Sequence, residues 1–479
     1  MRAFASVRAF ASVMAVLSLA VLSLAACGDE TPAGVAVVAP APRCDPGPSP
    51  AAFAPGVDGP FERPDGWFGR VAEDPPLVDD AELTAHRART AVMRGGPHDP
   101  WSPAIDTRGA LADARRRLVS FAAELRTGVI VEQDPGAIAA AMVIVERAEP
   151  VDHGRLVVRQ SQLHCTPAEA GFVRLPERDA SFDRNACTTL HPGELVRVLA
   201  RGDAGRWWLV DAGHTLGWVR PQGLSVRITD EERRAWRDAD RLWALRDDVR
   251  TVGGVPLRMG VGLPVTAHGP GGFVVRVAGR NGPHDDRVDA AAAVSLGFAP
   301  LRRRAVLEAA FAQIGAPYGW GGRGGARDCS QFLRDTFAPF GVALPRHSST
   351  QALAGLETVD VAGLDTATKL ATIARLGERG LVLEYMPGHI MLDVGTRDGK
   401  RWSISAIAEF LVPCPGGVGD TVHRLDRVAL ADLELGRGTA RGAFIDRITT
   451  LAVFGRSVAP DSPRASPGEP LGGLEPPTY

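Results

Sequence analysis

The sequence predicts an α+β protein of several domains, in which one or two small β-barrels precede a domain of mixed helices and strands. The chain has 479 residues, which is too many for one hydrophobic core when a domain takes roughly 100 to 200 residues. Residues 151–226 consist of short β-prone runs separated by turn residues. Residues 301–457 contain amphipathic helical patterns followed by an alternating strand pattern, which indicates a mixed domain.

The composition excludes two functional classes. Hydrophobic residues make up 45% of the chain and charged residues 23%, which is the balance of a soluble globular protein and not of a protein with many membrane spans. The 54 basic and 56 acidic residues give a net charge of -2. Because no overall positive field exists to hold a phosphate backbone, we predict no nucleic-acid partner.

The N-terminus predicts an export signal over residues 1–26. Arg2 and Arg8 precede an apolar run that is too short for an ordinary membrane-spanning helix. The run ends in LAAC at 24–27, which resembles the lipobox of bacterial lipoproteins, where the cysteine is acylated after the signal is removed. This resemblance implies that Cys27 holds the chain to a membrane of the bacterial cell envelope, with the outer membrane expected, facing the periplasm. An ordinary secretory signal with an incidental cysteine is the alternative.

Shifts in composition divide the rest of the chain. Residues 27–60 are dominated by Ala, Pro and Gly and predict a disordered tether, and residues 458–479 predict a disordered tail. Between them, residues 61–150 contain apolar residues at helical spacing from Leu111 to Leu125. We therefore expect a partly helical N-terminal region before the first barrel.

Two segments predict small β-barrels. The order LHPGELVRVLARGDAGRWWLVDAGHTLGWV, within residues 151–226, resembles bacterial SH3-like domains. At least one of its tryptophans, Trp207, Trp208 and Trp218, is expected in the barrel core. Residues 227–300 begin with a charged helical stretch and continue with β-rich sequence, which indicates a linker helix and a second, more divergent SH3-like barrel.

The chain has six cysteines. If Cys27 carries lipid, an odd number remains and at least one thiol is unpaired. Cys165 and Cys187 are 22 residues apart within the first predicted barrel and form either a local disulfide or two buried free cysteines. The sequence leaves the pairing of Cys44 and Cys414 open as well.

A glycine-rich segment leads into a helix that begins at a cysteine. The segment reads YGWGGRGGARDCSQF, and apolar residues then recur at helical spacing from Cys329 to Phe340. Asp328 is the expected N-cap of this helix. The free amides and the dipole at a helix start favour a thiolate, so we expect a lowered pKa and a nucleophilic Cys329. The glycines would let a substrate backbone approach closely.

A histidine begins a predicted strand sixty residues later. His389 opens an alternating run that ends before the turn signal Asp398-Gly399. A thiol hydrolase needs a base, usually His, to stabilise the thiolate and protonate the leaving amine, and a base at a strand start could face a helix N-terminus. Taken singly, Cys329 fits an inert buried thiol and His389 fits a core histidine. Their combination with the glycines and the odd cysteine favours a catalytic pair.

These segments resemble a known superfamily. YGWGGRGGARDCSQFLRDTFAPFGVALPRHSSTQ followed by PGHIMLDVG is similar to the NlpC/p60 superfamily, papain-like cysteine peptidases that cut amide bonds in peptidoglycan peptide stems. The resemblance spans about residues 300–450 and implies that Cys329 is the nucleophile and His389 the base. It also implies that a neighbouring SH3-like barrel borders the cleft. The residues that it places at the substrate's free amino end are Tyr318, Asp328 and Ser330.

The third catalytic position departs from that superfamily, whose members often have His there. Alignment places Ser405 at this position, and serine stabilises imidazolium less than a carboxylate would. If Asp398-Gly399 alone form the hairpin loop, Ser405 points away from the face of His389. A three-residue loop would bring Ser405 opposite Asp393, on the face of His389. Asp393 and His423 are alternative orienting residues.

The remaining histidines lack the spacing of metal ligands. No HExxH motif occurs, and His164 beside Cys165 is an isolated pair. We therefore predict neither a metal nor another cofactor. His347, which follows the Cys329 helix, could line the cleft, but a solvent-facing loop is its favoured place.

Two functions are consistent with these patterns. The favoured one is a lipid-anchored cysteine endopeptidase, which by the resemblance would cleave the bond between D-glutamate and the diamino acid of murein stem peptides. The alternative, motivated by Ser405, is a wall-binding lipoprotein whose papain-like domain is weak or inactive, and amidase or acyltransferase activity on the same fold is a further alternative. The expected partners are peptidoglycan stem peptides and, through the lipid, a membrane; no oligomeric state is predicted.

Overall fold

The computed structural model describes residues 44, 65–68, 74–176, 178–415 and 419–455. The predicted signal peptide with Cys27, the tether apart from Cys44, and the tail at 458–479 lie outside the described residues. Within the described ranges, no helix combines the length and the apolar content that crossing a bilayer requires.

The described part of the N-terminal region contains four α-helices. They are α1 (Asp65–Phe68), α2 (Asp80–Ala91), α3 (Thr107–Arg126) and α4 (Ala137–Glu146). Helix α3 confirms the helix predicted from residue spacing, and Leu118 and Phe121 on its buried side pack with α4 against Trp218. Helix α2 contacts the C-terminal domain instead, because the ring of His86 lies 2.9 Å from the carbonyl oxygen of Ala354.

The first β-rich segment forms a six-stranded antiparallel sheet in the order β2-β6-β7-β8-β3-β5, with β1 and β4 paired separately. The strands of the separate pair are β1 (Ile130–Glu132) and β4 (Phe172–Arg174). The strands of the six-stranded sheet are β2 (Glu149–Leu156), β3 (Ser161–His164), β5 (Ala186–Leu190), β6 (Leu195–Gly202), β7 (Trp207–Asp211) and β8 (Leu216–Val219). The side chains of Trp207, Trp208 and Trp218 are all buried. The expectation that tryptophan contributes to the core is therefore confirmed.

The second β-rich segment follows helix α5 (Asp230–Asp238), whose N-terminus is closed by a capping box between Thr229 and Glu232. Its five-stranded sheet has the order β12-β11-β10-β9-β13. The strands are β9 (Arg241–Ala244), β10 (Gly262–Gly269), β11 (Gly272–Gly279), β12 (Gly282–Val288) and β13 (Val294–Leu296). An SH3-like classification of these two sheets stays a prediction.

The C-terminal domain is a six-stranded antiparallel sheet with helices on both faces. Its helices are α6 (Arg303–Phe311), α7 (Cys329–Phe337), α8 (Ser348–Gln351), α9 (Thr366–Gly377) and α10 (Phe444–Arg447). Its strands are β14 (Glu357–Asp360), β15 (Gly380–Met386), β16 (His389–Arg397), β17 (Lys400–Pro413), β18 (Asp420–Asp432) and β19 (Thr450–Gly455), in the order β14-β19-β15-β16-β17-β18. Ile390 and Leu392 pack with α7 on one face, whereas Met391 packs with α9 and α10 on the other.

The described residues contain two disulfides. Cys165 and Cys187 form the local bridge, which confirms one of the two alternatives left open by the sequence. Cys44 is joined to Cys414, at the end of β17, across 370 residues of sequence. Among the described cysteines, Cys329 is the free one.

The first β-rich segment packs directly against the glycine-rich loop that precedes α7. A Cβ atom on Gly322 would lie 2.8 Å from the Cβ of Thr189, and the Thr189 hydroxyl donates a hydrogen bond of 2.6 Å to the Gly322 carbonyl. The Gln162 amide donates a 3.1 Å hydrogen bond to the carbonyl of Gly321. The expectation that these glycines admit a substrate backbone is therefore wrong at 321 and 322, because strand β5 already occupies that space.

We predict that alanine at Gly322 destabilises the protein more than alanine at Gly324. Both glycines have positive φ, +76° and +67°, so each substitution costs about 1 kcal/mol of backbone strain. Only Gly322 has Thr189 within reach, since nothing lies within 4 Å of a Cβ placed on Gly324. The extra clash should add about 1–3 kcal/mol. Urea unfolding of the two variants measures the difference, and equal midpoints would show that the loop does not bear on the sheet.

Candidate active site

Cys329 begins helix α7, and Asp328 is its N-cap, as predicted. The Asp328 carboxylate accepts a hydrogen bond of 2.8 Å from the amide of Gln331 and one of 3.1 Å from the amide of Gly321. One carboxylate therefore closes the helix start and also holds the glycine-rich loop against it. The apolar side of α7, with Phe332 and Leu333, is fully buried against the sheet.

The sulfur of Cys329 lies in an almost closed environment. Cys329 is 7% exposed. Burial raises the pKa of its thiol to about 12, and the negative charge of Asp328 also raises it. The backbone amides of Ile390 and Ser330 favour the thiolate but do not outweigh burial. The expectation of a lowered pKa at this helix start is therefore wrong for the free protein. Removal of water destabilises the thiolate more than the amides at the helix start stabilise it.

His389 is the first residue of β16 and follows Gly388, whose φ is +85°. Its ring nitrogen Nε2 lies 3.0 Å from the hydroxyl oxygen of Ser405, and its ring contacts that of Phe444 at 5.9 Å between centroids. Burial, and to a smaller extent the charge of Arg447, lowers the pKa of His389 to about 3. The imidazole is therefore neutral in the free protein.

Ser405 reaches His389 through a register that the sequence did not reveal. Arg397 pairs with Lys400, so the hairpin loop has only two residues, which alone would turn Ser405 away. However, Asp393 pairs with Ser403 while Gly395 pairs with Trp402, so β16 contains one extra residue. This bulge reverses the parity of the ladder. Each of the two alternatives is therefore partly wrong. The two-residue loop does form, but Ser405 does not point away from His389. Ser405 does face His389, but the residue opposite Asp393 is Ser403.

The two other proposed orienting residues do not serve His389. Asp393 is fully buried and binds Arg401 through both carboxylate oxygens, at 2.6 Å and 2.5 Å. His423 stacks on Phe410 with 5.8 Å between ring centroids. Among the contacts of the described residues, Ser405 is the hydrogen-bond partner of the His389 ring.

Among the described residues, no hydrogen bond joins the side chains of Cys329 and His389, and it is the backbone at the start of β16 that lies next to the sulfur. The backbone amide of Ile390, the residue after His389, acts directly on the Cys329 sulfur. Side chains alternate along a strand, so His389 projects to the face of Phe444, opposite the face on which Ile390 packs with α7. The structure thus brings the sulfur to the backbone beside His389 and joins the His389 ring to Ser405.

Asp328 and Ser330 both accept hydrogen bonds from a buried arginine, Arg346. The Arg346 guanidinium donates hydrogen bonds of 2.6 Å to Asp328 and 2.8 Å to Ser330, and another of 2.9 Å to Thr188 in strand β5. Asp328 and Ser330 were expected at the substrate's free amino end; here their polar atoms face Arg346. Sequence reasoning did not single out Arg346, although a carboxylate predicted at a buried helix start requires a cation nearby.

Tyr318 borders a groove that begins at His389. Its aromatic ring contacts Phe182, in the loop between β4 and β5, at 6.4 Å between centroids. The loop of Phe182 is tied to the C-terminal domain by Arg424, which binds Asp179 at 2.8 Å. The residues that line the groove with Tyr318 include His389, Glu409, Phe410, Arg441, Phe444 and Arg447.

The other histidines show no metal-binding arrangement. Within the described ranges, no three His, Cys, Asp or Glu side chains are grouped to hold a metal ion. His164 packs edge-on against Trp207 at 5.2 Å. His347 lies just before α8 with its side chain half-buried, and burial lowers its pKa to about 3.

The comparisons with known proteins converge on the segment that contains Cys329. Residues 315–369 match the NlpC/P60 family. Probable endopeptidases of Mycobacterium tuberculosis and Mycobacterium bovis are 37% identical over 82 residues, which is 17% of this chain and 21% of theirs. The chain thus spans about a fifth of the length of these curated relatives.

A solved structure extends the similarity to most of the fold. The NlpC/P60 endopeptidase from Photobacterium damselae subsp. piscicida superposes with a TM-score of 0.66 at 15% identity, covering 82% of this chain and 96% of that one. At this identity the similarity shows a shared mixed α and β fold. The family match itself covers residues 315–369, so it is this segment that indicates an NlpC/P60 family domain.

Proposed function

We propose that this chain is a cysteine endopeptidase that cleaves peptidoglycan stem peptides, with Cys329 as the nucleophile and His389 as the proton carrier. The observation that supports this most is the position of the Cys329 sulfur, at the start of α7 and beside the backbone of the strand that begins with His389. The hydrogen bond between His389 and Ser405 adds an orienting partner for the base. The relatives named as probable endopeptidases support the same class of reaction.

The proposed reaction is acyl transfer through a thioester. The Cys329 sulfur attacks the amide carbon while its proton passes to His389, and backbone amides near the helix start stabilise the oxyanion. His389 then gives this proton to the leaving amine, and the amide bond breaks. Water, activated by His389, hydrolyses the thioester and restores the thiol. In the free protein, the Ser405 hydroxyl lies 3.0 Å from the ring nitrogen Nε2 and is a hydrogen-bond partner of the base.

The charge states of the free protein affect the order of these steps. A pKa of about 12 for Cys329 and about 3 for His389 favour a neutral thiol and a neutral imidazole at pH 7. Proton transfer to His389 therefore accompanies attack in our proposal and does not precede it. The His389 ring faces Ser405 and Phe444 in the free protein, so our proposal requires it to turn toward the sulfur when substrate binds.

The finer features of the proposal rest on the sequence resemblance. They are cleavage between D-glutamate and the diamino acid, anchoring through lipid on Cys27 in the bacterial envelope, and an SH3-like barrel beside the cleft. The contact between Phe182 and Tyr318 is consistent with the last feature, since it puts a loop of the first β-rich segment next to the groove.

A second candidate is a wall-binding protein with an inactive peptidase domain. Two observations favour it: the third catalytic position is the neutral Ser405, and the neutral forms of Cys329 and His389 predominate at pH 7. Such a protein would bind purified sacculi and release no products from them.

We predict that Cys329→Ala abolishes the release of muropeptide fragments from purified sacculi, because the nucleophile is lost. Mass spectrometry of the soluble products after incubation with wild type and variant measures this. Cys329→Ser, which keeps the size of the side chain, should be equally inactive. Unchanged products from Cys329→Ala would exclude the proposed mechanism, and sacculus binding by wild type without any release would support the second candidate.

We predict that alkylation of Cys329 by iodoacetamide accelerates about tenfold per pH unit between about pH 6 and pH 10. The thiolate is the reactive form, and its fraction rises in this way at every pH below the thiol pKa, which burial raises to about 12. Peptide mapping of the labelled chain gives the rate at this position. A rate that is constant above about pH 5 would instead indicate a preformed thiolate and imidazolium pair.

We predict that Ser405→Ala lowers kcat about 5- to 10-fold, as expected for one lost hydrogen bond to the base. Ser403→Ala is the matched control, since Ser403 is buried two residues away on the same strand and donates to Glu384 instead. Ser403→Ala should lower the free energy of unfolding and leave kcat near the wild-type value. Equal losses of kcat in both variants would argue against a role of Ser405 in orienting His389.

A further inference from the structure

Two arginines contact one buried tryptophan in the first β-rich segment. Trp208 lies in strand β7, and Arg201 is directly opposite it in strand β6. The guanidinium carbon of Arg201 is 5.3 Å from the centroid of the Trp208 ring, and that of Arg155, in strand β2, is 4.4 Å from it. Such contacts hold a guanidinium over an aromatic ring and leave N–H groups at its edge free to donate.

A third arginine belongs to the segment that follows strand β8. Arg227 is exposed. The amide of Ser225 donates a hydrogen bond of 2.8 Å to the carbonyl of Leu156, and the amide of Ile228 donates one of 3.1 Å to the carbonyl of Gly154. These two hydrogen bonds hold the segment that contains Arg227 alongside strand β2.

The three guanidiniums are close enough to repel one another. Burial, and then the charges of Arg201 and Arg227, lower the pKa of the Arg155 guanidinium. Burial, and then the charges of all three arginines, lower the pKa of His153 to about 4. The neutral His153 ring accepts a hydrogen bond of 3.1 Å from Nε of Arg155, which also donates to the carbonyl of Ser225. The histidine thus orients one arginine and adds no positive charge at pH 7.

No carboxylate neutralises these arginines in the part of the chain that the structure describes. Asp152 is nearby but binds Arg197 through both carboxylate oxygens, at 2.8 Å and 2.9 Å. Glu149 is opposite Arg201 in the ladder of β2 and β6, yet forms no ion pair with it. The buried Nε of Arg201 has no hydrogen-bond partner among the described residues. The cluster therefore combines excess positive charge with unused N–H donors.

A second pair of arginine and tryptophan in the same segment differs in this respect. The guanidinium carbon of Arg220 lies 4.1 Å from the centroid of the Trp207 ring, and Nε of Arg220 donates a hydrogen bond of 2.8 Å to Glu169. There the chain supplies the negative charge itself. At Trp208 it supplies none among the described residues, so the counter-charge has to come from outside the chain.

The number of guanidiniums indicates which anion fits. One guanidinium already matches both oxygens of a carboxylate, so a carboxylate would leave the other two without a partner. A phosphate monoester has three terminal oxygens and close to two negative charges at pH 7. Each oxygen can therefore accept from a different guanidinium.

We propose that Arg155, Arg201 and Arg227 form a binding site for a phosphate group, which is either the terminal phosphate of a lipid headgroup or free phosphate. The site is built from β2, β6 and the segment after β8, with Trp208 as its support. It involves neither Cys329 nor His389, so it is independent of the proposed peptidase activity.

Calorimetric titration of the full-length chain tests the choice of anion. The probes are inorganic phosphate and acetate at pH 7 and equal ionic strength. We expect a Kd of about 1 mM for phosphate and a value about tenfold higher for acetate, which can engage fewer of the guanidiniums. Absence of saturable phosphate binding, or equal Kd values for the two anions, would overturn the proposal.

Substitutions assign the binding to these arginines. Arg201→Gln and Arg227→Gln should each raise the Kd for phosphate about tenfold, because each removes one charged donor. The matched control is Arg220→Gln, which removes an arginine that also contacts a tryptophan but is neutralised by Glu169, and it should leave the Kd unchanged. If circular dichroism shows that Arg201→Gln is unfolded, the exposed Arg227 decides the question. An unchanged Kd in folded Arg227→Gln would refute the assignment.

Sedimentation with vesicles distinguishes the two sources of phosphate. One set contains phosphatidylcholine with phosphatidic acid, whose headgroup is a phosphate monoester, and the other contains phosphatidylcholine with phosphatidylserine at the same surface charge. Any lipid on Cys27 would contribute equally to both. A preference for phosphatidic acid that Arg227→Gln removes would support the lipid headgroup, whereas equal sedimentation with both sets, together with phosphate binding in solution, would support free phosphate. A preference that Arg227→Gln leaves intact would refute a headgroup at this site.

Discussion

The ion pair between Asp328 and Arg346 fixes the position of the candidate nucleophile. Asp328 caps the helix that begins at Cys329, and Arg346 joins this carboxylate to Thr188 in the first β-rich segment. Both charged side chains are almost fully buried. Removing one partner of such a pair leaves an uncompensated charge in the interior, at a cost of about 3–5 kcal/mol. The sulfur therefore has its position only while the sheet of residues 149–219 is packed against the C-terminal domain.

This dependence explains why the two parts share so many polar contacts. Thr189 and Gln162 bind carbonyls of the glycine-rich loop, and Asp179 binds Arg424 at the border of the groove. The contacts of Thr189 and Gln162 end at the loop that precedes Cys329, and the ion pair of Asp179 ends at Arg424 in strand β18. The first β-rich segment thus supports the loop that precedes Cys329.

The sequence was sufficient for the starts of the important elements. Spacing and a capping residue predicted that a helix begins at Cys329, and alternation predicted the strand that begins at His389. These features are local, since they depend on residues within a few positions of each other. The local disulfide between Cys165 and Cys187 remained one of two alternatives because no local pattern determines whether two thiols meet.

The direction in which the site side chains point, and their protonation states, depend on tertiary structure. A single extra residue in β16 decides that Ser405 points to His389, and nothing in the pattern from His389 to Gly395 marks it. The pKa of Cys329 depends on how completely the surrounding elements exclude water, which outweighs the helix start in the free protein. Arg346 lies 18 residues from Asp328 in sequence, so only the folded chain reveals their pairing.

The bridge between Cys44 and Cys414 has a mechanical consequence. It gives residue 44 a covalent link to the end of β17, one of the strands that line the groove. Tension applied to the chain ahead of residue 44 passes through this link straight into the C-terminal sheet. The intervening helices and the two β-rich sheets are bypassed, so they would be spared from stretching as long as the bridge is intact.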